Sequence, residues 1–320
     1  MPDSALGCGG HKYRIYGLVV ESELPLTSVE SCDNGRAPAV TIIRARDDFL
    51  EERAAGLRQD CEEWIRHTVL ADGSLYIRVN GVFEAIVASD GRRVASRKLA
   101  TVDDRTFEAN LVNFALTASL TLQGEECLHA TVVALGGRAI GLLGPSGSGK
   151  STLSAFLLTQ GASLVTDDLL RVTFPGDEVV PHPGPRRLKL FDDSAQRFLP
   201  DASRQGSFNR LSGKTMFGPR DAPAPNESGT SLSALVWLGD EGSAESRPSV
   251  SVRQVTGIER VKILTRSTMD IRYASPERLE RQLRFAERMA RAVSIFALRY
   301  PRDYAALPEV AEALRAVVAA

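Results

Sequence analysis

At 320 residues the chain has room for one large domain or two smaller ones, with ample core in either case. Its 39 Lys and Arg against 40 Asp and Glu leave a formal charge of -1, which excludes a global field pulling it toward nucleic acid or an anionic membrane. Cys8, Cys32, Cys61 and Cys127 share no metal-ligand spacing with the four histidines and read as reduced thiols. No apolar stretch reaches membrane-spanning length, and no basic region followed by an apolar run opens the chain, so a cytoplasmic protein is expected. Nothing in the composition excludes a homo-oligomer.

Residues 1 to 10 are small and polar and predict an unstructured leader. From there to residue 100 the signal is β: the runs at 13–20, 39–44, 74–79 and 82–87 are short, β-branched and aromatic, and Asn80-Gly81 marks a hairpin between the last two. A smaller antiparallel β domain over 1–100 is expected, with His11 and His67 as surface or packing histidines. Residues 101–320 then form the second domain. It opens on a helix near 101–122, where Phe107, Leu111, Phe114, Ala118 and Leu122 recur at helical spacing.

Leu128 to Leu135, Gly136-Gly137 and Arg138 to Leu143 predict a hairpin with a two-residue loop. With Leu135 opposite Arg138, counting back along both strands puts His129 opposite Gly144. The second strand runs straight into Gly144-Pro-Ser146-Gly147-Ser148-Gly149-Lys150-Ser151-Thr152, a G-x-x-x-x-G-K-S sequence between a strand and a helix. Its glycines let backbone N–H groups curl around phosphate oxygens, and the helix N-terminus adds partial positive charge. Gly144, Ser146, Gly147, Ser148, Gly149, Lys150, Ser151 and Thr152 are thus expected to hold ATP, with Lys150 on the terminal phosphates and the Ser151 hydroxyl on Mg²⁺.

Leu153, Phe156 and Leu157 give the following helix an apolar face, and Gly161 ends it. The chain returns through Ala162 to Thr166 into Asp167-Asp168. A right-handed crossover makes this strand parallel to the one before the loop, so the aspartates arrive at the phosphate-binding end of the sheet. Two adjacent carboxylates there can divide proton abstraction from contact with a metal or with histidine. Beside a carboxylate, His129 is expected to have a raised pKa. Arg186, Arg187 and Lys189 read equally well as phosphate or substrate contacts and as a solvated strand edge. Residues 200–231, rich in Pro, Gly, Ser and Asn, form either a substrate-binding loop or plain surface, with Lys214 a weak candidate for phosphate. Strands at 232–238, 250–255 and 294–300 and helices at 258–266, 276–293 and 308–318 complete an α/β chain, α+β overall: a P-loop mixed sheet with flanking helices behind the antiparallel β domain.

The segment from His129 to Asp168 resembles the catalytic domain of bacterial HPr kinase/phosphorylase. That family carries a histidine ahead of its P-loop and a Leu-Val/Ile-Ala-Asp-Asp motif after the helix, matched here by Leu128-His129 and Leu164-Val165-Thr166-Asp167-Asp168. The resemblance implies that Asp167 is the base that activates a target serine and that Asp168 contacts His129. The family's Glu-Ile-Arg-Gly segment and Gly-Arg-Asn loop are missing. Tyr13 to Leu26, Pro183 to Leu190 and Leu298-Arg-Tyr-Pro-Arg-Asp303 look like the stand-alone homologues of ribosomal-peptide gene clusters, some of which phosphorylate a lasso-peptide precursor. Together these imply an ATP- and Mg²⁺-dependent serine kinase with a peptide or protein acceptor, Asp167, Asp168 and His129 as catalytic residues, and Ser151 and Asp168 as metal ligands. A nucleotide-binding regulatory protein, a transporter- or motor-type ATPase and a small-molecule kinase are the competing readings.

Overall fold

The computed structural model describes residues 10–33, 35–57, 63–99, 101–208, 213–218, 230–239, 249–269 and 273–319. The expected leader lies outside these residues up to residue 9, and so do 209–212 and 219–229 of the long loop. Two compact units emerge, one of residues 1–125, 205–214 and 270–274 and the other of 126–204, 215–269 and 275–320.

In the first unit, β1 (His11–Ile15), β2 (Leu18–Ser22), β3 (Glu30–Ser31), β4 (Val40–Arg44), β5 (Ile65–Val69), β6 (Leu75–Val79), β7 (Phe83–Val87) and β8 (Arg93–Lys98) form one sheet in the order β3-β1-β2-β4-β8-β7-β6-β5. The expectation of a purely antiparallel sheet is corrected at β4, which runs parallel to both β2 and β8. The connections through 23–39 and 45–92 are long enough to carry the chain back to the same end, which parallel pairing requires. The second of them holds the short helix α1 (Asp47–Arg53). Helices α2 (Asp104–Asn110) and α3 (Leu116–Leu122), joined by a π-helical turn at Leu111–Ala115, belong to this unit, although the sequence reading placed them at the head of the second domain. Close approach explains their place: a Cβ on Gly91 would stand 2.3 Å from the Ser119 carbonyl oxygen, and Gln123 Nε2 donates to Gly91 O at 3.0 Å.

The second unit is built on β9 (Leu128–Leu135) and β10 (Arg138–Leu143), followed by α4 (Lys150–Thr159), β11 (Ser163–Thr166), β12 (Leu169–Leu170), β13 (Val172–Thr173), β14 (Val180–Pro181), β15 (Leu188–Leu190) and α5 (Asp192–Phe198). After β16 (Ser203–Ser207), of which only Ser203 and Arg204 belong to this unit, come β17 (Thr215–Gly218), β18 (Leu232–Trp237), β19 (Ser251–Gln254), α6 (Ile258–Arg266), α7 (Pro276–Ala292), β20 (Ser294–Arg299) and α8 (Leu307–Ala319). The central sheet runs β11-β9-β10-β18-β20-β19, with β12 also on β9. It is mixed, since β18 is parallel to β10 and β20 while β9 and β19 are antiparallel to their neighbours. Helices cover both faces, giving the expected mixed α/β architecture. Period-two alternation assigns those faces: Val133, Leu135, Ile140 and Leu142 pack with Leu153 and Leu157 of α4, whereas Ala130, Val132, Ala139 and Leu143 pack with Ile263 of α6 and Met289 of α7. His129 and Thr131 therefore share the α4 face of β9. Among the described residues no helix is long and apolar enough to cross a membrane.

Candidate active site

The hairpin has the expected register, Leu135 opposite Arg138, with Gly136 and Gly137 both at positive φ (59° and 82°) as a two-residue loop of this hand requires. Pairing ends at Leu143 opposite Ala130, one position short of His129 and Gly144. On its other edge β9 meets the returning chain. Ser163 and Leu164 pair with Ala134 and Val133, a bulge at Val165 advances the register by one, and Thr166 pairs with Val132 and Leu169 with His129. The bulge sets Asp167 across from Thr131. β9 thus lies between β10, which leads into the Gly144–Ser151 loop, and the strand that leads into the aspartates.

The loop from Gly144 to Ser151 has three glycines at positive φ, 144° at Gly144, 80° at Gly147 and 94° at Gly149. Two of them also need the absence of a side chain, because a Cβ at Gly144 would stand 2.7 Å from Ser148 Oγ and one at Gly149 would stand 2.7 Å from Tyr300 Oη. A Cβ at Gly147 would meet nothing within 4 Å, so the tip, with exposed Ser146, faces open space. Ser148 Oγ is buried and has no hydrogen-bond partner among the described residues. A positive-φ cradle that ends a strand, opens a helix and holds an orphan hydroxyl fits an oxyanion such as a nucleotide phosphate. Lys150, 7% exposed, donates through Nζ to Gly144 O at 2.6 Å and to Pro145 O at 3.1 Å, so its ammonium lies along the inside of the loop. Ser151 and Thr152 are half-buried at the start of α4, where Thr152 Oγ1 lies 3.3 Å from Ser194 Oγ of α5.

Asp167 is 7% exposed and both of its oxygens are engaged: Oδ1 accepts from Thr131 Oγ1 at 2.7 Å and Oδ2 from the Lys189 backbone N–H at 3.1 Å. These donors and the Lys189 charge favour the carboxylate, but burial and the negative charge of Asp168 outweigh them, and its pKa is pushed up to about 6. Asp168 stands at φ 68°, in the left-handed region that aspartate enters more readily than most non-glycine residues. The Asp168 carboxylate accepts a charged hydrogen bond from Lys189 Nζ in an ion pair whose side chains are 18% and 7% exposed. Burial still pulls the pKa of Lys189 down.

Two expectations change here. Asp168 reaches His129 through its backbone carbonyl, 3.2 Å from Nδ1, rather than through its carboxylate. Nδ1 therefore carries the proton in a neutral ring and leaves Nε2 as an acceptor. The pKa of His129 is lowered rather than raised, first by desolvation and then by the charges of Lys150 and Lys189, which together outweigh Asp168. The second concerns the surroundings of Asp168, whose carboxylate, expected on magnesium, pairs with Lys189. Ser151 stands half-buried at the head of α4.

The basic trio divides: Arg187 and Lys189 are buried and Arg186 is exposed, so only Arg186 lies at a solvated edge. Lys214 belongs to the first unit, where its carbonyl accepts from Phe208 N at 3.3 Å. Thr131 was missed, yet its signal was present, since it sits two residues after His129 and so on the same strand face. Tyr300 and Arg302 were read only as an end motif, but both touch the loop.

No family model and no curated protein matches the chain. Among solved structures, the Hpr(Ser) kinase/phosphatase from Coxiella burnetii is similar over 59% of this chain and 93% of that one, with 11% identity and a TM-score of 0.31. At that score the functional reading rests on the chain's own residues.

Proposed function

We propose that the chain is an ATP- and Mg²⁺-dependent kinase that phosphorylates a serine hydroxyl of a peptide or protein. One observation carries the reading: β9 lies between the strand that runs into the Gly144–Ser151 loop and the strand that ends at buried Asp167, so loop and acid flank one strand. Bound ATP would supply the phosphoryl group and Mg²⁺ would neutralise its charge, with Ser151 as the chain's ligand to the metal. The Gly144–Ser151 backbone and Lys150 hold the phosphates. Asp167 accepts the proton of the attacking hydroxyl on its carboxylate, which is ionised at neutral pH yet basic enough to take that proton. Thr131 and the Lys189 N–H fix the orientation of the carboxylate, and the Lys189 ammonium offsets the second negative charge on Asp168. Neutral His129, with Nδ1–H spent on the Asp168 carbonyl, keeps Nε2 as an acceptor. The end motifs direct the choice of acceptor to a precursor peptide of the lasso type.

The test is incubation with γ-labelled ATP, Mg²⁺ and serine-containing peptides, each paired with its Ser→Ala counterpart. Label is expected on the serine peptides alone and is expected to vanish in Lys150→Ala with the fold intact. Label recovered only as inorganic phosphate, whatever the acceptor, would replace a kinase by a hydrolase. Transfer at the wild-type rate in Lys150→Ala would remove the loop from the mechanism.

A further inference from the structure

The stretch from Tyr300 to Tyr304, between β20 and α8, meets the phosphate loop at two points and the neighbouring helix α5 at a third. Tyr300 packs its hydroxyl end over Gly149, where no side chain would fit. Arg302 donates from a guanidinium N–H to the carbonyl of Gly147 at the exposed tip. Tyr304 donates to Asp193 at 2.8 Å and lies 3.1 Å from Ser194 Oγ, which in turn is 3.3 Å from Thr152 Oγ1. The stretch is itself stiff. Pro301 restricts it, Asp303 N donates to Pro301 O at 2.7 Å, and the Asp303 carboxylate caps the following turn through Ala305 N at 3.0 Å. Burial raises the pKa of Tyr300, which stays a neutral packing group.

We infer that Arg302 is a second phosphate-contacting cation of this site, delivered from the far end of the chain to the outer side of the loop. This rests on the nucleotide reading above and extends it. Lys150 is turned inward onto the Gly144 and Pro145 carbonyls, whereas the tip at Gly147 faces open space. A guanidinium is set beside that open side by a stiff, independently anchored segment. Its planar fork carries five donors, so one group can hold a carbonyl and an oxyanion together, which an ammonium does less well. Anchoring outside the loop also lets the charge stay in place while the loop adjusts to its ligand.

Calorimetric titration of ATP into the full chain tests this, using wild type, Arg302→Gln, Arg302→Lys and Lys150→Ala at several ionic strengths. Arg302→Gln is expected to weaken ATP about ten-fold at low salt, the size of one charge-assisted hydrogen bond, and to flatten the salt dependence of affinity. Arg302→Lys keeps the charge and should keep the salt dependence while losing part of the affinity. Weakening in Arg302→Gln with an unchanged salt dependence would mean that the residue only shapes the loop, which overturns the inference. So would wild-type affinity in Arg302→Gln while Lys150→Ala fails to bind, a result that leaves the nucleotide reading intact. Absence of ATP binding by wild type would sink both.

Discussion

Each unit buries a carboxylate among charged neighbours, and the two do it differently. In the first unit Glu84, 1% exposed, lies on β7 directly across from Arg78 on β6 and Arg97 on β8. It accepts from Arg78 at 2.8 Å, from Arg97 at 2.9 Å and from the Tyr76 hydroxyl at 3.1 Å. Glu84 faces two guanidinium groups that are 26% and 22% exposed, and Arg97 also pairs with exposed Asp47, so the cluster is balanced in charge and open to water. In the second unit Asp168 pairs with the Lys189 ammonium, itself 7% exposed, and buried Asp167 lies beside both. There burial and the neighbouring charge of Asp168 together displace the proton affinity of Asp167 upward. A buried acid balanced across a sheet ladder holds structure together, whereas one pressed by burial and an adjacent acid is poised to trade a proton.

The strongest way to break this contrast is Asp167→Asn. Phosphoryl transfer is expected to fall by about two to four orders of magnitude while nucleotide affinity persists. The fold should respond in the opposite sense. With a folded pKa near 6, above the ordinary carboxylate value, ionised Asp167 is disfavoured by folding; its burden is full above pH 6 and fades as pH falls toward about 4. Asp167→Asn should therefore be more stable than wild type at pH 8, with the advantage disappearing in acid. Thermal melts across that range, run beside the transfer assay, check both signs. A variant destabilised at pH 8 would place Asp167 in the same class as Glu84.

Lys189→Met comes next. It leaves two buried carboxylates without their cation, and loss of one partner of a buried pair costs about 3–5 kcal/mol. Denaturant unfolding at pH 8 measures it, and the loss should shrink as the carboxylates protonate. Glu84→Gln is smaller, about 1–3 kcal/mol, because its two arginines can still hydrate. Nucleotide affinity and transfer should not change in that variant, and a ten-fold drop in either would end the separation of structural from functional acids.

The parts of the site that local chemistry specifies were legible in the chain. Gly136-Gly137 fixed the hairpin register, the glycines and Lys150 marked the loop, and Asp167-Asp168 stood where a right-handed crossover ends. What could not be read depended on two events without a local signature. The bulge at Val165 moves the register by one residue, and only then does Asp167 meet Thr131 rather than its neighbour. The approach of β15 brings Lys189 to the pair from a stretch whose sequence suits a solvated edge as well as a buried one. Without Lys189, the balance of charges around His129 and the engagement of Asp168 could not be set. Helix α5 and the Tyr300–Tyr304 contacts were lost for the same reason, since they are defined by what they touch.

Thr131→Val makes the smallest change and sharpens the comparison most. The side chains are nearly the same shape, so what goes is one O–H donor to Asp167 Oδ1. That bond favours the ionised carboxylate, and its removal must push the pKa of Asp167 further above about 6. If Asp167 is the base, the acid limb of the pH–rate profile moves to higher pH: transfer at pH 8 is nearly unchanged, while at pH 6 it falls by about five-fold for a shift of one pKa unit. The fold should lose about 1–2 kcal/mol at pH 8 and less below pH 6, where the carboxyl is protonated and the hydroxyl has a weaker acceptor. Thr131→Ser keeps the hydroxyl and should restore the profile even if its lost methyl group lowers stability. A valine variant whose profile superimposes on that of wild type would mean that the proton leaves by another route, and Asp167 would join Glu84 as an acid buried for structure.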